Sequence, residues 1–127
     1  MEKFLDSAGL SQLIANIKRG TPVAVVSGTT PTQQLAPNMH YSFGEVTALT
    51  VTLGSPVTAT QDNVTKYYPS EYTFEFDSGS TATTLSLPAS IVWQDGTEPV
   101  IAAGKHYEIS IKYDAANQTY YGLWAEW

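Results

Sequence analysis

His40 and His106 are the only imidazoles in this 127-residue chain, which has no cysteine and holds twelve acidic against six cationic side chains. A hydrolase needs an activated nucleophile, a base and a group that orients the base. The chain has no Gly-x-Ser-x-Gly elbow to expose a serine at a strand-to-helix turn. His40 stands beside a strand start and His106 opens a strand, so both read as structural or surface residues. Paired carboxylates can cleave glycosides. Glu71, Glu75 and Asp77 fall in or beside one strand, however, and Glu75 and Asp77 form its polar face with Thr73, which a solvated surface explains. No Asp-x-Asp-x-Asp-Gly calcium loop is present, and Asp95-Gly96 reads as a turn. The strings around Gly28 and Gly79 do not match a phosphate loop. The expectation is therefore no catalytic residue, no metal site and no cofactor.

Tryptophan is the remaining side chain with binding chemistry. Trp93, Trp124 and Trp127 could stack on sugar rings, and Trp93 and Trp124 are the candidate glycan-binding pair. In a small β domain, tryptophan also serves core and interface.

Charge narrows the partners. The net charge is −6, and the few cations do not cluster beyond Lys18-Arg19. A nucleic-acid binder needs a cationic face to displace counterions from phosphates, so DNA and RNA are not expected as partners. A polybasic membrane attachment is not expected either. No apolar run is long enough for a signal peptide or a membrane span. The sequons at Asn63 and Asn117 read as chance matches in a threonine-rich chain.

These residues need elements to hold them. Hydrophobic residues make up 43% of the chain and charged residues 14%, enough apolar material for a packed core. Sixteen threonines and eight tyrosines suit a pleated, half-buried surface. Residues 1–20 read as a helix. Leu10, Leu13, Ile14 and Ile17 share one face. Asp6 is the N-cap, and Leu5 and Leu10 form a hydrophobic staple. Lys18 and Arg19 suit the last turn, followed by Gly20 and Pro22. A helix of this length is marginal alone, so its stripe is a candidate oligomerisation or anchor surface.

Residues 21–38 read as a linker, with a short strand possible at Val23-Ala24-Val25-Val26 and with Pro31 and Pro37 favouring extended chain. From residue 39 the chain reads as strands. Leu49, Val51 and Leu53 alternate with Thr50 and Thr52, and Tyr72, Phe74 and Phe76 with Thr73, Glu75 and Asp77. Short runs follow at 84–87 and 91–93. Tyr107, Ile109, Ile111 and Tyr113 then alternate with polar residues, and 119–127 pairs with them as a hairpin through 114–118. The spacing predicts a mainly β chain: a small antiparallel β-sandwich or jelly roll over 39–127, preceded by the short helix. The last strand carries aromatics on both faces, so one face meets the core and the other a neighbour. Tyr120 and Trp124 are the candidates for that interface.

Four ordered blocks carry a resemblance. They are Tyr41-Ser42-Phe43-Gly44-Glu45-Val46 running on to Leu53, Glu71-Tyr72-Thr73-Phe74-Glu75-Phe76-Asp77-Ser78-Gly79, Thr83-Thr84-Leu85-Ser86-Leu87-Pro88 running on to Trp93, and Ile101-Ala102-Ala103-Gly104-Lys105-His106-Tyr107 running on to Ile111. With the ending Gly122-Leu123-Trp124-Ala125-Glu126-Trp127, residues 38–127 resemble the C-terminal β module of bacteriophage head-fibre and tail-fibre proteins. The opening 5–18 is similar to the short helix that begins many of them. The resemblance implies a non-enzymatic virion protein, a homotrimeric appendage or capsid decoration that contacts other phage virion proteins and serves host attachment. The alternative it leaves is a module that binds a host-surface glycan.

Overall fold

The structure is a computed structural model that describes residues 20–127. The expected helix, with Leu10, Leu13, Ile14 and Ile17, lies outside the described residues apart from Gly20. Within them the short threonine- and aromatic-rich runs become strands. They are β1 (Val23–Val26), β2 (Thr32–Leu35), β3 (Met39–Val46), β4 (Ala48–Leu53), β5 (Thr58–Gln61), β6 (Val64–Tyr67), β7 (Glu71–Ser78), β8 (Thr84–Ser86), β9 (Ile91–Trp93), β10 (His106–Asp114) and β11 (Thr119–Glu126).

The strands form a six-stranded sheet in the order β1-β3-β7-β10-β11-β9, a three-stranded sheet in the order β2-β4-β8, and the hairpin β5-β6. The chain alternates between the two larger sheets as it advances. β1, β3 and β7 lie side by side and parallel in the first; β2, β4 and β8 do so in the second. Parallel neighbours need a long crossover, and here each crossover is the other sheet's strand. The result is a stack of three rungs, β1-β2, β3-β4 and β7-β8, each resting on the one before. Hydrogen bonds continue the stack through its corner: Thr47 N–H donates to Thr29 O at 2.7 Å, and Thr84 N–H donates to Thr47 O at 3.0 Å. The β5-β6 hairpin is inserted between the second and third rungs, and all its strand residues are exposed. Its two turn residues, Asp62 and Asn63, both have positive φ (52° and 63°), as a tight hairpin with right-handed twist requires.

After the third rung the pattern changes. β10 runs antiparallel to β7, β11 antiparallel to β10, and β9 parallel to β11. Asp114 closes the expected β10-β11 hairpin: its Oδ1 accepts from the N–H groups of Ala116 and Asn117 at 3.0 and 3.3 Å, and its Oδ2 from Asn117 Nδ2 at 2.7 Å. Those bonds hold the Asp114 carboxyl below its ordinary pKa, the Asn117 side chain most strongly.

Two expectations are corrected. The sheets are mixed, not antiparallel, because successive rungs wind in one direction. Residues 21–38 are not a linker, because β1 and β2 form the first rung and Leu35 is fully buried. Pro31 precedes β2 and Pro37 follows it, so the prolines bound the strand without interrupting its ladder. One core unites the two larger sheets, with Leu35, Leu49 and Val51 from the smaller and Phe43, Phe74, Phe76, Tyr107 and Ile109 from the larger. Phe76 stacks on Tyr107 at 5.3 Å and Phe74 meets Phe43 edge-on at 6.2 Å. Burying each such side chain stabilises the fold by about 1.5–3 kcal/mol.

Candidate functional site

The period of two along a strand sends alternate side chains to opposite faces. In β3, β7 and β10, Tyr41, Phe74, Phe76, Tyr107 and Ile109 enter the core. Their neighbours His40, Thr73, Glu75, Asp77, His106 and Glu108 therefore share the opposite face. Register then brings them together: His40 lies beside Thr73, Ser42 beside Glu75, Glu75 beside Glu108, and Asp77 beside His106. This polar face is not open to solvent throughout, since His40 and Thr73 are each 1% exposed and Glu108 8%.

Both imidazoles converge on one carboxylate. Glu75 Oε2 is 3.5 Å from His40 Nε2 and 3.8 Å from His106 Nε2. Each ring is also held by its other nitrogen. His106 Nδ1 is 2.7 Å from Asp77 Oδ1, and because an ionised carboxylate only accepts, Nδ1 is the donor in that contact. His40 Nδ1 is 2.7 Å from Thr73 Oγ1. Ser42 Oγ donates to Glu75 Oε1 at 3.1 Å. His40 Nε2 is fully buried and makes no hydrogen bond, a rare state that costs about 1–3 kcal/mol. Donor atoms of Glu75, His106 and Glu108 all lie within 4.8 Å of one another. The arrangement of imidazole and carboxylate donors is chemically suited to holding a cation. Beside it, Glu45, Asp77, Lys105, His106 and Trp127 border an open cleft of about 470 Å³.

The residues singled out in the sequence lie elsewhere. Tyr120 and Trp124 stand on the core-facing side of β11, packed against the core, with rings 6.0 Å from Tyr72 and 6.2 Å from Tyr107 respectively. Trp124 Nε1 donates to Thr97 O at 3.1 Å. They do not form the outward face of the strand. That face carries Tyr121 and Trp127, which are 44% and 46% exposed. Trp93 is 7% exposed and belongs to the core, so it does not present an open stacking face with Trp124. Its edge borders a groove of about 300 Å³ with Leu85, Leu87, Pro88 and Glu98.

The sequence reading missed the histidine–carboxylate cluster by treating its members one by one. Alternation placed Glu75 and Asp77 on one face, but His40, Glu75 and His106 come from three strands whose adjacency only register reveals. Comparisons with protein-family models, with curated proteins and with solved structures give no match.

Proposed function

We propose that the chain is a non-catalytic structural subunit of a bacteriophage particle, a short head-fibre- or tail-fibre-like appendage that works as a homotrimer among other virion proteins. The observation that carries this reading is the first-rung end of the stack, where no further strand pairs among the described residues. β1 and β2 are the edge strands of the two larger sheets, and both belong to the first rung. In β1, Val23 and Val25 are 54% and 80% exposed. An edge with apolar side chains that no other strand among the described residues pairs is a template for pairing with another chain, and a rung stack extends along one axis, as an appendage does. The phage context and the threefold count come from the resemblance of residues 38–127 alone.

A non-catalytic role is supported by the burial of a hydroxyl–imidazole–carboxylate series among the described residues, Thr73–His40–Glu75. Thr73 and His40 are each 1% exposed, so that hydroxyl has no route to a substrate. No helix among the described residues is long and apolar enough to cross a membrane.

Light scattering on the full chain at micromolar concentration tests the reading. A mass three times that of the 13.8 kDa chain is expected, and a stable monomer would overturn it. A chain shortened to begin at residue 20 then reports whether the rung stack carries the interface; shortening to 38 removes Leu35 from the core and is uninformative. Host-surface glycan binding is a second reading, favoured by the groove at Trp93. Trp93→Phe, which keeps the core filled, is expected to weaken binding on a glycan array if the groove is the site, and a chain that binds no glycan removes this reading.

A further inference from the structure

We propose that Glu75, His106 and Glu108, with the buried Nε2 of His40 behind them, bind one divalent transition-metal ion of the zinc class. This holds whether or not the appendage reading does.

The donor set comes first. An imidazole with carboxylates, Glu75, His106 and Glu108, suits zinc, cobalt, nickel and copper, whereas calcium and magnesium favour all-oxygen shells. Spacing comes next. Zinc bound tetrahedrally at about 2.0–2.1 Å has ligand-to-ligand edges of about 3.3–3.4 Å. Glu75 Oε2 stands 3.8 Å from His106 Nε2, and donor atoms of Glu75, His106 and Glu108 all lie within 4.8 Å of one another, so side-chain movements bring these three onto one ion, with His40 Nε2 behind them at 3.5 Å from Glu75 Oε2. The outer contacts agree as well. A metal-ligating histidine commonly donates its other N–H to a carboxylate, which fixes tautomer and ring orientation. His106 does so through Asp77 at 2.7 Å, and His40 Nδ1 is held by Thr73 Oγ1 at 2.7 Å.

An independent observation points the same way. His40 Nε2 is buried, has no hydrogen bond, and faces Glu75. A metal ion would satisfy that nitrogen and account for its position. His106, 36% exposed, provides the entry side. The ion would tie β7 to β10 directly and reach β3 through His40, at the junction where the rung stack meets the closing hairpin. Because such a site exists only in the folded chain, binding stabilises the fold by mass action.

The test uses the full untagged chain, stripped with a chelator and titrated calorimetrically with zinc chloride near neutral pH. Saturable binding of one ion per chain is expected, with a rise in Tm for Zn²⁺ and Co²⁺ that Mg²⁺ and Ca²⁺ do not reproduce. Co²⁺ is expected to give visible absorption bands of a low-coordinate site. His106→Ala and Glu75→Gln should each weaken zinc binding about tenfold or more. Asp77→Asn should weaken it while keeping the one-ion stoichiometry. His106 is partly exposed, so its alanine variant keeps the metal-free far-UV circular dichroism of the parent and is decisive even if Glu75→Gln folds poorly. Absence of saturable zinc binding, or zinc binding undiminished in His106→Ala, overturns the proposal.

Discussion

Gly122 shows how one missing side chain sets a tryptophan in place. A Cβ built there would lie 2.5 Å from Trp93 Cε3 and Cζ3 and 3.0 Å from Ile91 Cγ2. Gly122 pairs with Trp93 across β11 and β9, so the indole occupies the space above the glycine. Ile91 and Trp93 are both buried and have no room to retreat. Gly122→Ala is therefore expected to destabilise the fold by about 1–3 kcal/mol. The urea midpoint should fall with an unchanged slope, and a midpoint equal to the parent's would show that the sheet yields at no cost. Part of this was legible in the sequence: Ile91 and Trp93 fall on one face of a three-residue strand, which favours burial over a sugar-stacking role. The partner glycine was not, because it comes from a different strand. The histidines repeat the lesson. His40 and His106 each look ordinary in their own segment, and their shared carboxylate is set by the pairing of β3 and β10 with β7.

Elements were read well where alternation is strong and poorly where rungs repeat. β4, β7 and β10 follow the alternation of apolar and polar residues directly. The rung repeat left little trace, because equivalent positions carry unlike side chains: Ala24, Tyr41 and Phe74 line up facing inward, and Val25, Ser42 and Glu75 line up facing outward. The β5-β6 insertion also breaks the spacing between the second and third rungs, so no fixed period survives. β1 was legible as a short strand at Val23–Val26, but its place in the first rung was not. As an edge strand it buries little, and its neighbours are prolines, glycine and threonines that resemble a linker. That same edge position makes a prediction. Val25 is 80% exposed, so Val25→Lys should leave the unfolding midpoint within about 0.5 kcal/mol of the parent. If β1 is the interface, a charge on this edge should lower the solution mass to that of one chain. An oligomer that survives the substitution places the interface elsewhere, with the outward Tyr121 and Trp127 of β11 as the next surface to change.

At the scale of the whole molecule, composition correctly gave a β-rich chain, while the direction of strand pairing depended on how the rungs wind and was not available from alternation. The tyrosines that gave that composition also tie the stability of the molecule to alkaline pH. Burial pushes the Tyr72 hydroxyl well above its ordinary pKa, and the nearby Tyr120 adds to the effect. Burial likewise raises Tyr107, against the lowering influence of the Ala102 N–H that donates to its oxygen, and raises Tyr113 beside Tyr67 and Tyr120. Below the ordinary tyrosine value of 10.0 these hydroxyls keep their protons in both folded and unfolded chains, so pH has no purchase on stability through them. Above it the unfolded chain releases protons that the folded chain retains. The folded state then binds more protons than the unfolded state, and stability falls as pH rises. Because both larger sheets share one core, these losses act on a single unfolding transition. The urea midpoint is expected to hold steady up to about pH 9.5 and to decline above about pH 10. Tyr72→Phe gives up the hydrogen bond to Gly54 O at 2.8 Å and is less stable at neutral pH. It should nevertheless lose stability less steeply above pH 10, because one of the proton-linked groups is gone. Parallel slopes for Tyr72→Phe and the parent would mean that the Tyr72 hydroxyl ionises as readily in the folded chain as in the unfolded one, against its place in the core.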